Sequence, residues 1–303
     1  MAFAPHILEI TESDDELRSI LAHPTTDLPP LLPALAHATG DTSLLASELF
    51  LDPADFMAEQ GGWNPQQQER CRELALGALI ALRDRGDQPV EPPTDTQLQA
   101  LLEWTTGTTL NSSYVSMLGE ELAPDNTDPR APSWHKDRIA PRRDFNVVII
   151  GAGMSGILGA HRLKQAGIDV LVLDKNAGIG GTLLENTYPG CRVDVANHVY
   201  AYSFMQRHDW PQFHSSQEVL LKYFNDCADH FGIREQIRFN TEVGSVVWDD
   251  EDHMWTLEIV TPNGEETLRA AAVISAVGQL NRPSYPDIEG RESFAGPSFH
   301  SAE

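Results

Sequence analysis

The residues of this chain best suited to chemistry stand between Gly151 and Asp194. Gly151-Ala152-Gly153-Met154-Ser155-Gly156 is a Gly-x-Gly-x-x-Gly loop. In that spacing the first glycine permits a tight turn and the second lets backbone approach a pyrophosphate. The third lets the following helix pack on its strand, while free N–H groups at the helix start bind phosphate. The loop therefore points to a dinucleotide, provided that a strand precedes it and a helix follows. Eighteen residues beyond Gly156 comes Asp174, whose carboxylate can accept hydrogen bonds from ribose hydroxyls and would repel a 2′-phosphate. That chemistry suits FAD or NAD and disfavours NADP; the alternative role for Asp174 is to cap the turn that follows it. A second glycine-rich turn, Gly178-Ile-Gly180-Gly181-Thr182, comes close behind, and then Asn186-Thr-Tyr188-Pro-Gly-Cys191-Arg192-Val-Asp194.

The surrounding pattern predicts the elements that such a loop needs. Phe145-Asn-Val-Val-Ile-Ile150 has the apolar length and β-branching of a buried parallel strand. A helix over 154–166 ended by Gly167, a strand from Asp169 to Asp174 and a long excursion over 175–215 follow. Ser215-Ser-Gln-Glu218 has capping-box spacing and opens a helix running to about Phe231. From Ile237 the chain turns to short β segments, at 237–240, 242–249, 254–261 and 265–269, with a turn at Pro262-Asn263-Gly264, in which a β meander is expected. Ala272-Val-Ile-Ser-Ala-Val-Gly278 reads as a further buried strand. The economical assembly over 144–303 is an α/β, Rossmann-like, doubly wound sheet with the meander inserted between its strands.

Residues 1–122 read as an all-α N-terminal domain. Thr11-Glu-Ser-Asp-Asp-Glu16 offers hydroxyl and carboxylate groups to a helix start. Between Pro65 and Arg85, the residues Cys71, Leu74, Ala75, Ala78, Leu79 and Leu82 recur at three-and-four spacing before Gly86. No catalytic constellation is visible there, so this part is assigned a structural or assembly role. Residues 123–143, proline-rich and aperiodic, form a linker.

Composition narrows the partners. With 303 residues there is room for about two domains. Twenty-one Lys and Arg against 45 Asp and Glu leave a net charge of −24, which repels nucleic acid and anionic membrane surfaces. Residues 1–130 hold 22 acidic and 6 basic side chains, whereas 131–303 hold 23 and 15, so a charge step accompanies the domain boundary. Cys71, Cys191 and Cys227 are odd in number and widely spaced, which offers no disulfide framework and fits a reducing cytoplasm. No signal peptide or membrane-length apolar run is present in the sequence. His208, His214 and His253 lack the spacing of zinc ligands, and no metal is expected.

The second glycine turn, close behind the ribose carboxylate, resembles that of the two-dinucleotide-binding-domain flavoproteins. The stretch through Asp194 and on through His198-Val-Tyr200-Ala-Tyr202-Ser-Phe204 resembles the Baeyer–Villiger monooxygenases, most closely the 4-hydroxyacetophenone monooxygenase type, which shares a helical N-terminal extension. Leu183 departs from the pattern, standing where the family has an aromatic after Gly-Gly-Thr. Ala276-Val277-Gly278 is similar to the family's Ala-Thr-Gly phrase, and Phe294-x-Gly296-x-x-x-His300 to the opening of its fingerprint.

The resemblance implies an FAD- and NADPH-dependent flavin monooxygenase that inserts one atom of O2 beside a ketone carbonyl, via a C4a-peroxyflavin, to give an ester or lactone. It implies cofactor contacts from Gly151, Gly153, Met154, Ser155, Gly156, Asp174, Lys175, Gly181, Thr182, Asp194, Tyr200 and Val243. Asp194 is the implied catalytic residue, supporting an arginine of an NADPH domain that would begin after residue 303. On this reading the chain is C-terminally truncated, most of the NADPH site lies outside it, and these 303 residues alone are expected to be inactive. The alternatives are N- or S-oxygenation by a related flavin enzyme, or a non-catalytic FAD-binding fragment. The implied partners are a small ketone and O2, with a homodimer formed through the helical extension. Arg192 is expected to fix its loop by an ion pair, and Trp210-Pro-Gln-Phe213 to serve packing.

Overall fold

The computed structural model describes residues 10–55, 58–86, 93–122, 128–207 and 209–302. The chain divides into two compact units, Met1–Pro129 and Arg130–Glu303.

The first unit is helical. α1 (Asp14–Ala22) starts in a capping box in which Ser13 accepts from the Glu16 amide while the Glu16 carboxylate accepts from Ser13, and Asp14, Asp15 and Glu16 complement the positive helix end. α2 (Leu31–Thr39) stops at Gly40 in the left-handed conformation. α3 (Pro65–Arg85) is the long central helix: Asn64 and Gln67 form its capping box, Pro65 occupies the first turn where its missing N–H costs nothing, and Gly86 ends it. α4 (Asp95–Thr106), boxed by Thr94 and Gln97, and α5 (Ser112–Leu122) complete the set. The apolar stripe anticipated on α3 is the one that is buried. Cys71, Ala75 and Ala78 meet Leu28, Leu32, Leu49, Trp63 and Trp104, with Leu74, Leu79 and Leu82 packed against that core.

In the second unit, a one-turn helix α6 (Lys136–Ile139) stands within the expected linker, of which 123–127 lie outside the described residues. Then come β1 (Asn146–Ile150), α7 (Met154–Gln165), β2 (Asp169–Leu173), the one-turn α8 (Thr182–Glu185), α9 (Gln217–His230) and β3 (Ile237–Arg238). The meander strands β4 (Glu242–Asp249), β5 (Met254–Thr261) and β6 (Gly264–Ala270) follow, and β7 (Ala272–Ser275) returns to the first sheet. That sheet is parallel, in the order β3-β2-β1-β7, and the meander forms a separate antiparallel sheet, β4-β5-β6.

Side-chain alternation along β1 and β2 explains the layering. Val147, Ile149 and Val172 face α7 and α9, meeting Ile157, Ala160, Tyr223, Phe224 and Cys227. Val148 and Leu173 face the other way and pack on Leu257, Ile259 and Ala270 of the meander. The sheet is therefore covered by helices on one face and by the meander on the other, rather than by helices on both as a doubly wound sheet would be.

Two local expectations are corrected. Ala272 to Gly278 is not a buried strand: β7 is an edge strand of four residues, and Ile274 and Val277 are 39% and 47% exposed because neither core extends over them. The capping box at Ser215 and Glu218 does not form either. α9 is preceded by Ser216, whose side chain makes no cap bond. Ser215 is fully buried instead, paired with Asn197 through Ser215 N to Oδ1 at 2.8 Å and Asn197 Nδ2 to Oγ at 2.7 Å. A buried hydroxyl beside an amide satisfies more polar atoms there than an exposed cap would.

Candidate functional site: a glycine-lined dinucleotide cleft

The cleft begins where β1 ends. Gly151 N–H donates to Leu173 O at 2.7 Å, carrying the β1–β2 ladder one step past the strand. The chain then turns into α7, with Gly153 as the residue before its first turn and no side chain capping it. The first amides of α7 are thus presented to the cleft, where the helix end favours negative charge. Gly156 lies behind them: a Cβ there would sit 1.9 Å from the Gly151 carbonyl oxygen, so only glycine allows helix and turn to approach this closely.

The second glycine turn folds onto the first. A Cβ on Gly153 would lie 3.7 Å from Gly181 Cα, and one on Gly181 would lie 3.3 Å from Gly153 Cα. Gly180 N–H donates to Ala152 O at 3.1 Å. Two motifs 28 residues apart in the chain, measured from Gly153 to Gly181, therefore meet backbone to backbone.

Asp174, just past β2, is 6% exposed. Its Oδ2 accepts from the Ala152 amide at 2.6 Å, and its Oδ1 accepts from the Asn176 amide at 2.8 Å. The turn-capping role is realised, and the same carboxylate also pins the glycine loop. A carboxylate has about four acceptor positions, so these two bonds leave capacity for ribose hydroxyls. Glu185, the last residue of α8, closes this end: its Oε1 lies 3.1 Å from Lys175 Nζ and accepts from Asn176 Nδ2 at 3.1 Å.

These pieces enclose a cavity of about 280 Å³. Of the residues expected at the cofactor, Gly151, Gly153, Met154, Ser155, Asp174, Lys175, Gly181, Thr182, Tyr200 and Val243 line it. Gly156 supports it from behind, and Asp194 is exposed and outside the lining. Asp194 is still electrostatically close to Tyr200, whose hydroxyl pKa is raised first by burial and then by that carboxylate. Ala276, Val277 and Gly278, singled out as a motif, also line the cavity, beside the glycine loop: a Cβ on Gly151 would lie 2.6 Å from Ala276 O.

Beyond the lining, Tyr202 braces the helix start. Its hydroxyl donates to Met154 O at 2.6 Å, and its ring stacks on Phe204 at 4.9 Å. Trp210 packs on Tyr223 at 5.3 Å, in keeping with a packing role, whereas Phe213 is 65% exposed. Arg192 makes no ion pair among the described residues; a backbone bridge to Ser216 holds its loop instead. His208 lies outside the described residues.

Asn176, Glu185, Asn281 and Arg282 also line the cleft and were not anticipated. Asn281 and Arg282 follow the Ala-Val-Gly phrase by a few residues, which is a readable signal. Asn176 and Glu185 carry none, because their pairing depends on how the excursion after β2 folds back.

A parallel strand, a glycine turn, an uncapped helix start and a strand-end carboxylate around one cleft define a dinucleotide-binding Rossmann-like domain. A sequence model of the NAD(P)-binding Rossmann-like domain family matches residues 149–215. A Baeyer–Villiger monooxygenase of Streptomyces coelicolor is 43% identical over 157 residues, covering 52% of this chain and 30% of that protein. The uncharacterized monooxygenase y4iD of Sinorhizobium fredii is 32% identical over 285 residues, covering 93% of this chain and 42% of that protein. A crystal structure of OTEMO in complex with FAD and NADP matches with a TM-score of 0.48 at 36% identity, over 52% of this chain and 30% of that one. Over the matched spans the chain is similar to Baeyer–Villiger monooxygenases. It spans between about a quarter and less than half of the length of the curated relatives it matches. Among the described residues, no helix is long and apolar enough to cross a membrane.

Proposed function

We propose that this chain forms the FAD-binding part of an NADPH-dependent monooxygenase that inserts one atom of O2 beside a ketone carbonyl, giving an ester or lactone. The observation that carries this reading is the contact of the two glycine turns, Gly153 against Gly181, over one cleft with Asp174 at its end. A bound FAD would supply the oxygen-transfer chemistry, and the protein's share is to bind, orient and exclude water. The amides at the start of α7 would hold the pyrophosphate, close approach being possible because Gly153 has no side chain. Asp174 would hold the adenosine ribose. Thr182 and Tyr200 would lie along the isoalloxazine, and Asp194 would orient an arginine supplied from outside these residues. The half-buried Tyr200 would keep its hydroxyl proton at working pH, since burial and Asp194 both disfavour phenolate.

The 4-hydroxyacetophenone monooxygenase type is our choice within the family. It is supported by the helical unit preceding the cleft domain and by a relative whose match extends over 93% of the chain. We assign that helical unit to homodimer formation, for which the exposed Ile20, Phe50, Tyr114 and Met117 offer apolar contact area. A cytoplasmic setting accords with three free cysteines.

The test is product analysis. These residues should retain FAD after desalting, and a full-length enzyme that carries them together with an NADPH-binding part should, with NADPH and air, convert aryl or alkyl ketones to esters. Retention of FAD with oxygenation of amines or sulfides only would overturn the ketone reading, and failure to bind FAD would overturn the cleft assignment.

A further inference from the structure

We infer that Glu185 is a specificity-determining residue: by holding Lys175 in an ion pair, it makes the cleft reject a 2′-phosphorylated adenosine ribose. The inference rests on the dinucleotide reading of the cleft and deepens it. An enzyme that uses both FAD and NADPH must keep the second nucleotide out of the first site, and the two differ at the adenosine 2′ position.

Lys175 is the direct neighbour of Asp174, the carboxylate placed for the ribose. A free ammonium at that position would attract a 2′-phosphate, since a cation beside the strand-end acid is how such folds admit phosphorylated ribose. In this chain the ammonium is engaged. Lys175 Nζ lies 3.1 Å from Glu185 Oε1, and the Glu185 side chain is only 17% exposed whereas Lys175 is 45% exposed. The pair is fixed from the carboxylate side. The same Oε1 accepts from Asn176 Nδ2 at 3.1 Å, Asn176 N donates to Asp174 Oδ1 at 2.8 Å, and Asn176 O accepts from Asn240 N at 3.0 Å. Asn176 thereby ties Glu185 to the ribose carboxylate, and α8 ties it to the second glycine turn. The cleft lining holds three carboxylates, Asp174, Glu185 and Glu242, against Lys175 and Arg282, and with Lys175 held by Glu185 a 2′-phosphate arriving beside Asp174 would meet net negative charge.

Glu185→Gln keeps the size and an acceptor for Asn176 but removes the charge that holds Lys175. The probes are adenosine 5′-monophosphate and adenosine 2′,5′-bisphosphate, which differ only in the 2′-phosphate, titrated calorimetrically into the full chain freed of flavin. The wild type should bind the monophosphate at least tenfold more tightly. In E185Q that ratio should shrink at least fivefold, and the double variant K175Q/E185Q should restore preference for the monophosphate, which a merely structural role for Glu185 would not do. Should E185Q fold poorly, Lys175→Gln alone leaves Asp174 and Glu185 uncompensated and should widen the wild-type ratio. A ratio in E185Q within twofold of wild type, a double variant that keeps the shifted ratio, or a K175Q ratio equal to wild type would each overturn the assignment. A wild type that binds FAD but shows no preference refutes the inference alone; one that binds neither FAD nor nucleotide refutes the cleft reading beneath it.

Discussion

Gly153 and Gly156 stand three residues apart in one motif, yet the structure assigns their constraints to different causes, and alanine at each separates them. At Gly156 the added Cβ would lie 1.9 Å from a backbone oxygen, where even a close contact needs 3.0 Å, so helix α7 or the turn must yield by about 1.1 Å. Overpacking of that kind costs about 1–3 kcal/mol, and in a unit of this size each kcal/mol lowers the melting temperature by about 2–4 °C. Gly156→Ala should therefore melt roughly 2–12 °C below wild type before any ligand is considered. At Gly153 the nearest atom to the added Cβ is Gly181 Cα at 3.7 Å, an ordinary contact, and the backbone is at φ −78°, ψ −170°, where alanine is at ease. Gly153→Ala should keep or slightly raise the melting temperature, by reducing unfolded-state freedom worth about 0.4–1 kcal/mol. Its methyl would project where a phosphate must approach the helix amides, and losing one charge-assisted hydrogen bond, at about 1.5–3 kcal/mol, weakens FAD binding roughly 10- to 100-fold. Thermal unfolding without ligand and fluorescence titration with FAD read the two effects separately. A Gly153→Ala variant that melts as low as Gly156→Ala, or that binds FAD as wild type does, would refute the separate roles of the two glycines.

Asp174→Asn should destabilise the domain by about 1–3 kcal/mol even without ligand, because the amide keeps one acceptor oxygen and turns a donor-only NH2 to the other of the Ala152 and Asn176 N–H groups; a melt unchanged from wild type would contradict the pinning role. Tyr202→Phe should lose about 1 kcal/mol by removing the bond to Met154 O and weaken FAD binding modestly through the loosened helix start, as followed by the same titration. Burial pushes the Cys71 and Cys227 thiols up to about 12. Below pH 9 a thiol reagent should therefore modify only Cys191 in the native chain and all three after denaturation. The folded state holds these two protons to higher pH than the unfolded chain, so the linked stability is complete below about pH 9 and declines as pH rises towards 12. An alkaline titration of the melting temperature checks that sign.

What the sequence determined by itself was whatever neighbouring residues decide among themselves. The capping boxes at Ser13 and Asn64 form because donor and acceptor lie within one helical turn. The buried stripe of α3 follows from the spacing of Cys71, Ala75 and Ala78, and β1 from a run of β-branched residues. The Gly-x-Gly-x-x-Gly loop was legible for the same reason, since strand, turn and helix are contiguous. The tertiary structure alone decided what meets across long separations. It drew Ser215 away from a helix cap into a buried pair with Asn197, left β7 at an edge with Ile274 uncovered, and put the meander over the sheet's second face. It also left Asp194 outside the cleft and joined Lys175 and Asn176 to Glu185. The physical reason is that a hydrogen bond or ion pair between distant residues exists only after the loops carrying them have been brought together, and burial, rather than local spacing, sets which polar atoms must then find each other.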